Sequence, residues 1–396
     1  MSQRALDGIR VLDFGRYIAA PYCCQLLADL GAEVIRIERP GGEPDRQRGP
    51  VHSSGQSIYF ATINRNKKGI TLNIRSEEGY GLLKQLIAKS DVLVHNLPIQ
   101  RAEQLGLGYA AIRSANPTIV YLSISGFGTV GPYSERTAFD GIIQGISGAM
   151  SMTGRPGQPM LSHIPYIDFS TGLFGALAVS SALVERNRTG KGQMLDQSLF
   201  GSAVSFIASY GVLAENVLNG VNRRGLGNAL VYGVGGSYLT KDGALVLNCL
   251  SNEMWQTLCK TIGREDLLSD PSLSTDVARY RQRIHVDHEI GMWIRSRTTS
   301  EAVATLAAAG IPVGPISNPE ALLTDPHVQA QGLVTTIEQP GMGAIPVAAS
   351  PIRAPGEPDS GKRPAPLIGE NNKEVFGDLL GMSSAAVDAL ASKGVV

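Results

Sequence analysis

Residues 9–38, IRVLDFGRYIAAPYCCQLLADLGAEVIRIE, carry three segments that fit together. Ile9 to Phe14 is a short apolar and β-branched run of strand type, and Ala32 to Glu38 is another. Between them Pro21 to Leu30 has helical spacing, with a proline in its first turn and Gly31 just past its end. A strand, a helix and a second strand form a crossover unit, which implies parallel strands with helices packed on their faces. Outward from this unit the pattern continues with helix Glu77 to Lys89, strand Asp91 to Asn96, helix Tyr109 to Ala115 and strand Thr118 to Ser125. The turn Gly126-Phe127-Gly128 closes the series, after which the unit repeats no further. The fold class is α/β, a doubly wound parallel sheet.

Beyond this sheet the composition changes. From Gly141 to Glu185 the chain is rich in glycine and small residues, with an apolar helix starting near Asp168 and ending before the polar turn Arg186 to Gly192. Gly220 to Gly236 is glycine-rich again, and Tyr238 to Cys249 reads as a hairpin turning at Lys241-Asp242-Gly243. A second lobe begins there, filled by helices around Glu253 to Ile262, Tyr280 to Ser296 and Ser300 to Ala309. Asn318 to Arg363 reads as a long, proline-rich irregular return.

Lys plus Arg and Asp plus Glu number 35 each, so bulk charge attracts neither nucleic acid nor a charged membrane. The longest apolar runs, such as Leu173 to Val184, are short and broken by Gly and Ser, and Met1 to Arg10 lacks a signal-peptide core. A cytoplasmic protein with no membrane or nucleic-acid partner is expected. Cys23, Cys24, Cys249 and Cys259 form no CxxC pair and read as buried thiols. His285 and His288 share a helix face without a third ligand at metal spacing, so no metal is expected.

The loop after the first strand, Asp13-Phe14-Gly15-Arg16-Tyr17-Ile18, lacks the GxGxxG dinucleotide fingerprint. It still places Gly15 and Arg16 at a helix start, where backbone N–H groups favour an anion such as phosphate; a plain turn is the alternative. Cations recur at strand ends: Arg36, Arg39, Arg65, Lys67, Lys68 and Arg75. In open α/β sheets ligands bind outside the carboxyl ends of the strands, so these residues form either a phosphate site or a solvated surface. Asp168, just before the apolar helix, reads as an N-cap. The same placement lets helix-end N–H donors lower its pKa and keep it ionised, and an ionised carboxylate in a glycine-lined cleft is a usable nucleophile. No GxSxG elbow accompanies it.

Taken together these residues resemble the class III CoA-transferases, the group of formyl-CoA and carnitine CoA-transferases with the related 2-methylacyl-CoA racemases. The resemblance runs from Leu6 to Asp13 through Leu27 to Glu38 and Asn64 to Lys68, then Ser123 to Gly128, Phe139-Asp140 and Thr189-Gly190-Lys191-Gly192-Gln193. It implies an aspartyl nucleophile at Asp168 and coenzyme A as substrate and product. The implied CoA contacts are Ile18, Ala19, Arg39, Leu72, Asn73, Ile74, Arg75, Asn96, Leu97, Pro98, Thr137, Ala138, Phe139 and Asp140. Departures from the family pattern at Ile18, Gln104 and Asn96 to Gln100 point away from formyl and oxalate specificity.

The resemblance also implies a large domain from residues 1–220, a small domain at 225–325, and a return segment 326–396 that completes the large one. Two such chains interlock as a homodimer. In the implied chemistry Asp168 attacks the thioester to give an acyl anhydride, CoA opens that to an aspartyl thioester, and an acceptor carboxylate takes the CoA. A short dicarboxylic or hydroxylated acceptor is expected. Water must be kept from the anhydride, and the expected lid is the segment with Gly233, Gly235 and Gly236, or else Gly225-Leu226-Gly227-Asn228. A racemase would need a proton-shuttling pair, which Phe139 beside Asp140 does not supply. A non-catalytic CoA-binding or nucleotide-binding module is the alternative from another class.

Overall fold

A computed structural model describes residues 4–352 and 363–396. In chain order the first elements are β1 (Arg10–Phe14), α1 (Ala19–Asp29), β2 (Glu33–Glu38), α2 (Ile58–Ile63), β3 (Lys68–Thr71), α3 (Glu77–Ala88) and β4 (Val92–His95). Next come α4 (Ile99–Gln104), α5 (Tyr109–Ala115), β5 (Val120–Ser125), α6 (Asp140–Ile146), α7 (Ala149–Met152), β6 (Gly154–Arg155) and β7 (Gln158–Pro159). A long helix α8 (Tyr166–Thr189) leads to β8 (Gln193–Ser198), α9 (Leu199–Ser209) and α10 (Val212–Asn219). Then follow β9 (Val234–Leu239), β10 (Ala244–Cys249), α11 (Asn252–Ile262), α12 (Asp276–Arg281), α13 (Arg283–Arg295), α14 (Thr299–Ala308) and β11 (Val313–Pro315). The chain finishes with α15 (Pro319–Thr324), α16 (Pro326–Gln331), β12 (Val334–Gln339), β13 (Gly343–Ala348), α17 (Asn372–Leu380) and α18 (Ser384–Ser392).

The chain divides into two compact units, the first from residues 1–149, 162–220 and 326–396, the second from 150–161 and 221–325. In the first, six strands form a sheet in the order β3-β2-β1-β4-β5-β8, every pair parallel. β1 pairs with β2 at Val11–Val34 and with β4 at Val11–Val92, so the strand order reverses between β1 and β4. α1 ends in a Schellman turn, in which Ala32 N–H donates to Leu27 O and Gly31 N–H to Ala28 O, with Gly31 at φ +110°. One face of the sheet is covered by the apolar sides of α1 and α8, and the other by α3, α5, α17 and α18. The open edge at β3 is closed by side chains from far along the chain: Asn371 accepts from Gly69 N–H at 2.8 Å and Asn372 from Thr71 N–H at 2.9 Å.

Several expectations are corrected here. The sheet does not stop at Ser125, because Gln193–Ser198 adds a sixth strand; its polar, half-exposed sequence gave no apolar strand signal. The return after Asn318 is not irregular: α15 and α16 precede an antiparallel hairpin, β12 and β13. Residues 353–362 of that return lie outside the described residues. One expected helix, Tyr280 to Ser296, is two, broken at Gln282. The run Leu173 to Val184 sits within α8, a 24-residue helix long and apolar enough by length and composition to cross a membrane. Within the chain 44% of its apolar window is buried.

The second unit is built on the sheet β11-β10-β9, whose apolar side packs on Trp255, Leu258, Val286, Ile290 and Leu306 of the surrounding helices. Gly235 and Gly236 are not in a loop: they pair with Asn248 and Leu247 in the β9–β10 ladder. Added side chains there would meet the backbone, at 2.1 Å from Leu247 O and 2.3 Å from Asn228 O respectively.

Candidate active site

The reversal of strand order between β1 and β4 leaves a crevice at their carboxyl ends. A cleft of about 440 Å³ opens there, lined by Phe14 at the end of β1 with Gly15 and Arg16 after it, Glu38 at the end of β2 with Arg39 and Pro40 after it, Leu72 to Arg75 after β3, Leu97 after β4 and Arg101 in α4. Of its carboxylates, Glu43 pairs with Arg16 at 2.9 Å and Glu38 with Arg36 and Arg46 at 3.1 and 2.6 Å. Burial works against ionising Glu38, but the two guanidinium groups outweigh it and hold its carboxyl below the ordinary range. Arg39, Arg75 and Arg101 have no carboxylate partner among the described residues. Arg39 spends one donor on Gly42 O at 2.9 Å, which leaves the rest of its fork free. Three unpaired guanidinium groups beside apolar Leu72, Ile74 and Leu97 suit a ligand with phosphates at one end and an apolar body, and CoA is such a molecule.

Of the residues expected to touch CoA, the cleft gathers Arg39, Leu72, Asn73, Ile74, Arg75 and Leu97. The others are placed differently. Ile18 and Ala19 begin α1, and Pro98 precedes α4 as its N-cap. Asn96 turns its amide to the backbone, accepting from Arg16 N–H at 2.8 Å and donating to Arg16 O at 2.7 Å. Thr137 and Ala138 lead into α6, with Ala138 packed near Gly126. Arg101 and Gly394 line the cleft without having been expected. Arg101 lies in α4, the helix that follows β4, and Gly394 arrives from the far end of the chain and had no local signal.

Asp168 lies in the first turn of α8 but is not its N-cap, which is Pro165 with no side-chain cap bond. The capping is done by Asp140, whose Oδ2 accepts from Ile167 N–H at 2.8 Å and Asp168 N–H at 3.0 Å. Its Oδ1 accepts from Gln144 Nε2, so the Asp140 carboxylate is buried and occupied rather than free for a ligand. Asp168 itself is half-buried, and its carboxylate accepts no hydrogen bond among the described residues. Burial, and then the neighbouring Asp140 charge, push its pKa up to about 7. This reverses the expected lowering: the helix-end donors go to Asp140, and the charge that remains nearby is negative.

The turn is placed by close packing. Gly172 brings α8 so near α1 that a β-carbon would stand 2.7 Å from Ala19 O, and Phe169 meets Tyr22 edge-on at 4.9 Å between centroids. Thr171 Oγ1 donates to Ile167 O at 2.7 Å and lies 2.9 Å from Ser202 Oγ. An unbonded, partly desolvated carboxylate titrating near neutrality is a reactive oxygen nucleophile once ionised.

Residues 6–372 match CoA-transferase family III. A succinyl-CoA:glutarate CoA-transferase of Mus musculus is 33% identical over 400 residues, covering 100% of this chain and 91% of the relative. A succinyl-CoA–D-citramalate CoA-transferase of Chloroflexus aurantiacus is 32% identical over 397 residues, covering 99% of this chain and 98% of the relative. The crystal structure of a CAIB/BAIF family protein from Brucella suis superposes with a TM-score of 0.83 at 31% identity, over 95% of this chain and 100% of that one. The chain is an enzyme of CoA-transferase family III.

Proposed function

We propose that this enzyme moves CoA from succinyl-CoA or a similar short acyl-CoA to a dicarboxylic or hydroxy-dicarboxylic acid, with Asp168 as the covalent carrier. The observation that carries the reading is the unbonded Asp168 carboxylate, held in the same unit as a cleft lined by three guanidinium groups that have no carboxylate partner among the described residues, Arg101 spending one donor on Gln104 Oε1 at 3.3 Å. The relatives support the substrate class, since their names give succinyl-CoA as donor and glutarate or D-citramalate as acceptor.

In this mechanism ionised Asp168 attacks the thioester carbonyl, and the C–S bond breaks to give an aspartyl-acyl anhydride and CoA thiolate. The thiolate attacks the aspartyl carbonyl, forming an aspartyl-CoA thioester and releasing the first acid as carboxylate. The acceptor carboxylate attacks that thioester to make a new anhydride, and the expelled thiolate attacks its acyl carbonyl. The new acyl-CoA leaves and Asp168 returns as carboxylate. An activated acyl bond is present at every stage, so no ATP is consumed. Arg39, Arg75 and Arg101 hold the CoA phosphates throughout. A cover over the anhydride is part of the proposal; of the two glycine segments, Gly225 to Asn228 lies outside the β9–β10 ladder and Gly235-Gly236 lies in it.

The working form is proposed to be a homodimer. Leu173, Leu177 and Val184 of α8 and Leu213, Val217 and Leu218 of α10 are exposed on a single chain, and a second copy is the occupant that the family resemblance assigns to such faces. The function is tested by incubating the protein with succinyl-CoA and a panel of mono- and dicarboxylic acids, reading new thioesters by mass spectrometry. New thioesters from dicarboxylic acceptors are expected. Binding of CoA without transfer to any acid would leave a non-catalytic module, and scrambling of α-chirality in a 2-methylacyl-CoA would favour the racemase.

A further inference from the structure

β4 pairs with β5 at Leu93–Tyr121 and His95–Ser123, so His95 and Tyr121 are diagonal neighbours on one face of the sheet. Both are buried. His95 Nδ1 accepts from Leu97 N–H at 3.2 Å. Burial pushes the pKa of the ring down to about 4, so the imidazole is neutral near neutral pH and its one proton lies on Nε2. Nε2 donates to the Tyr121 oxygen at 2.6 Å, and the Tyr121 hydroxyl donates to Leu107 O at 2.8 Å. The donors therefore all point one way, in a relay from the backbone of Leu97 through two rings to the backbone of Leu107.

Leu97 and Leu107 stand just before and just after α4, and that helix has little else to hold it. Six residues are too few for a helix to persist on its own. Its N-cap, Pro98, makes no side-chain cap bond, and Ala102 is its one buried residue. Gln100 reaches Glu135 at 2.9 Å, but at the surface, and the Tyr80 hydroxyl makes a longer bond of 3.3 Å to Gly106 O. Leu97 and Leu107 are buried and line the cleft, and between them α4 presents Arg101 to it. The bond from Arg101 to Gln104 lies within the helix and moves with it. Where this guanidinium stands thus depends on where α4 stands, and the relay ties both ends of α4 to the sheet. Cutting it would leave a buried carbonyl or a buried N–H without a partner, which the two loops could relieve only by shifting.

We infer that His95 and Tyr121 are positioning residues for substrate binding: they fix the two ends of α4 and so aim Arg101 at the phosphates of CoA. The inference rests on the CoA-transferase reading above. It is tested with Tyr121→Phe, Arg101→Ala and the double variant, measuring Kd for CoA by calorimetry and kcat and KM for succinyl-CoA. Arg101→Ala is expected to weaken CoA binding about 10-fold. Tyr121→Phe, which removes one hydroxyl, is expected to raise Kd and KM roughly 3- to 10-fold and to lower kcat by less. The double variant is expected to bind CoA within about twofold of Arg101→Ala alone, because no guanidinium is left to aim. A general loosening of the fold would instead add its own loss in both backgrounds. Multiplied losses in the double variant, wild-type Kd in Tyr121→Phe or in Arg101→Ala, or a collapsed kcat at unchanged KM in Tyr121→Phe would each overturn the inference alone. Should Tyr121→Phe not fold, the same cycle is run with His95→Asn, whose Oδ1 still accepts from Leu97 N–H while its amide is too short to reach Tyr121. Failure of the wild-type protein to bind CoA would overturn the CoA reading and this inference with it.

Discussion

Asp168 and Asp140 illustrate how two carboxylates a hydrogen bond apart along the backbone divide their tasks. Asp140 is spent on N–H groups and stays structural; Asp168 is left unbonded, and its pKa of about 7 makes its charge sensitive to pH in the working range. In the proposed mechanism the carboxylate is the attacking form, so kcat/KM for acyl-CoA is expected to rise with pH and level off above about 7. Asp140→Asn removes the negative neighbour and should move that midpoint to lower pH; an unmoved or raised midpoint counts against the assignment. Stability runs the other way. A carboxyl whose folded pKa is raised binds more protons folded than unfolded between about 4 and 7, so the stability it contributes is present at low pH and lost as pH rises through that window. Asp168→Asn is therefore expected to be at least as stable as wild type at pH 8, while transfer falls at least about a thousandfold. Hydroxylamine should trap a covalent adduct at Asp168 of the wild-type protein incubated with acyl-CoA. A fully active Asp168→Asn protein, checked for deamidation, would sink the mechanism. In the proposed mechanism Arg39 and Arg75 hold a part of the ligand that does not react, so their bonds would serve ground and transition states alike. Arg39→Ala should raise KM for acyl-CoA more than it lowers kcat, and a collapsed kcat at unchanged KM would refute the role.

At the scale of elements, the crossing of α1 and α8 sets where Asp168 stands. Their approach depends on Gly172, whose missing β-carbon would lie 2.7 Å from Ala19 O and 3.1 Å from Cys23 N, both backbone atoms. Gly172→Ala forces the helices apart, with an expected cost of about 1–3 kcal/mol and a lower kcat because the first turn of α8 moves with it. Unchanged melting and unchanged kcat would show that the crossing can absorb a methyl group. The sequence of this region is plainly rich in glycine and small residues, which permit close backbone approach. What the close approach positions was not plain there, because the cap of α8 comes from Asp140, 28 residues upstream of Asp168. A local reading assigned the capping role to the nearest carboxylate, Asp168 itself. Arg16, Arg39 and Arg75 were legible for the opposite reason: they follow strands, and strand ends in a parallel sheet converge on one rim.

Over the whole molecule, β1, β2, β4 and β5 could be read because these strands are buried on both faces and rich in apolar and β-branched residues, with helix caps as local punctuation. β8 could not, since Gln193–Ser198 is a half-exposed edge strand whose partner is fixed only by the returning chain. The apolar faces left open on α8 and α10 predict assembly: sedimentation should give twice the 42.0 kDa of one chain, and a monomer at micromolar concentration would contradict it. The closure of the β3 edge by Asn371 and Asn372 reaches further. Gly69 and Asn371 are 302 residues apart, so at about 5–20 residues per second a ribosome completes the edge only some 15–60 seconds after making β3. Throughout that interval a strand edge stands open beside other growing chains on the same messenger, each carrying an identical edge. The yield of folded enzyme is then expected to depend on translation speed and on whatever shelters the nascent chain until its last helices emerge, as well as on its final stability.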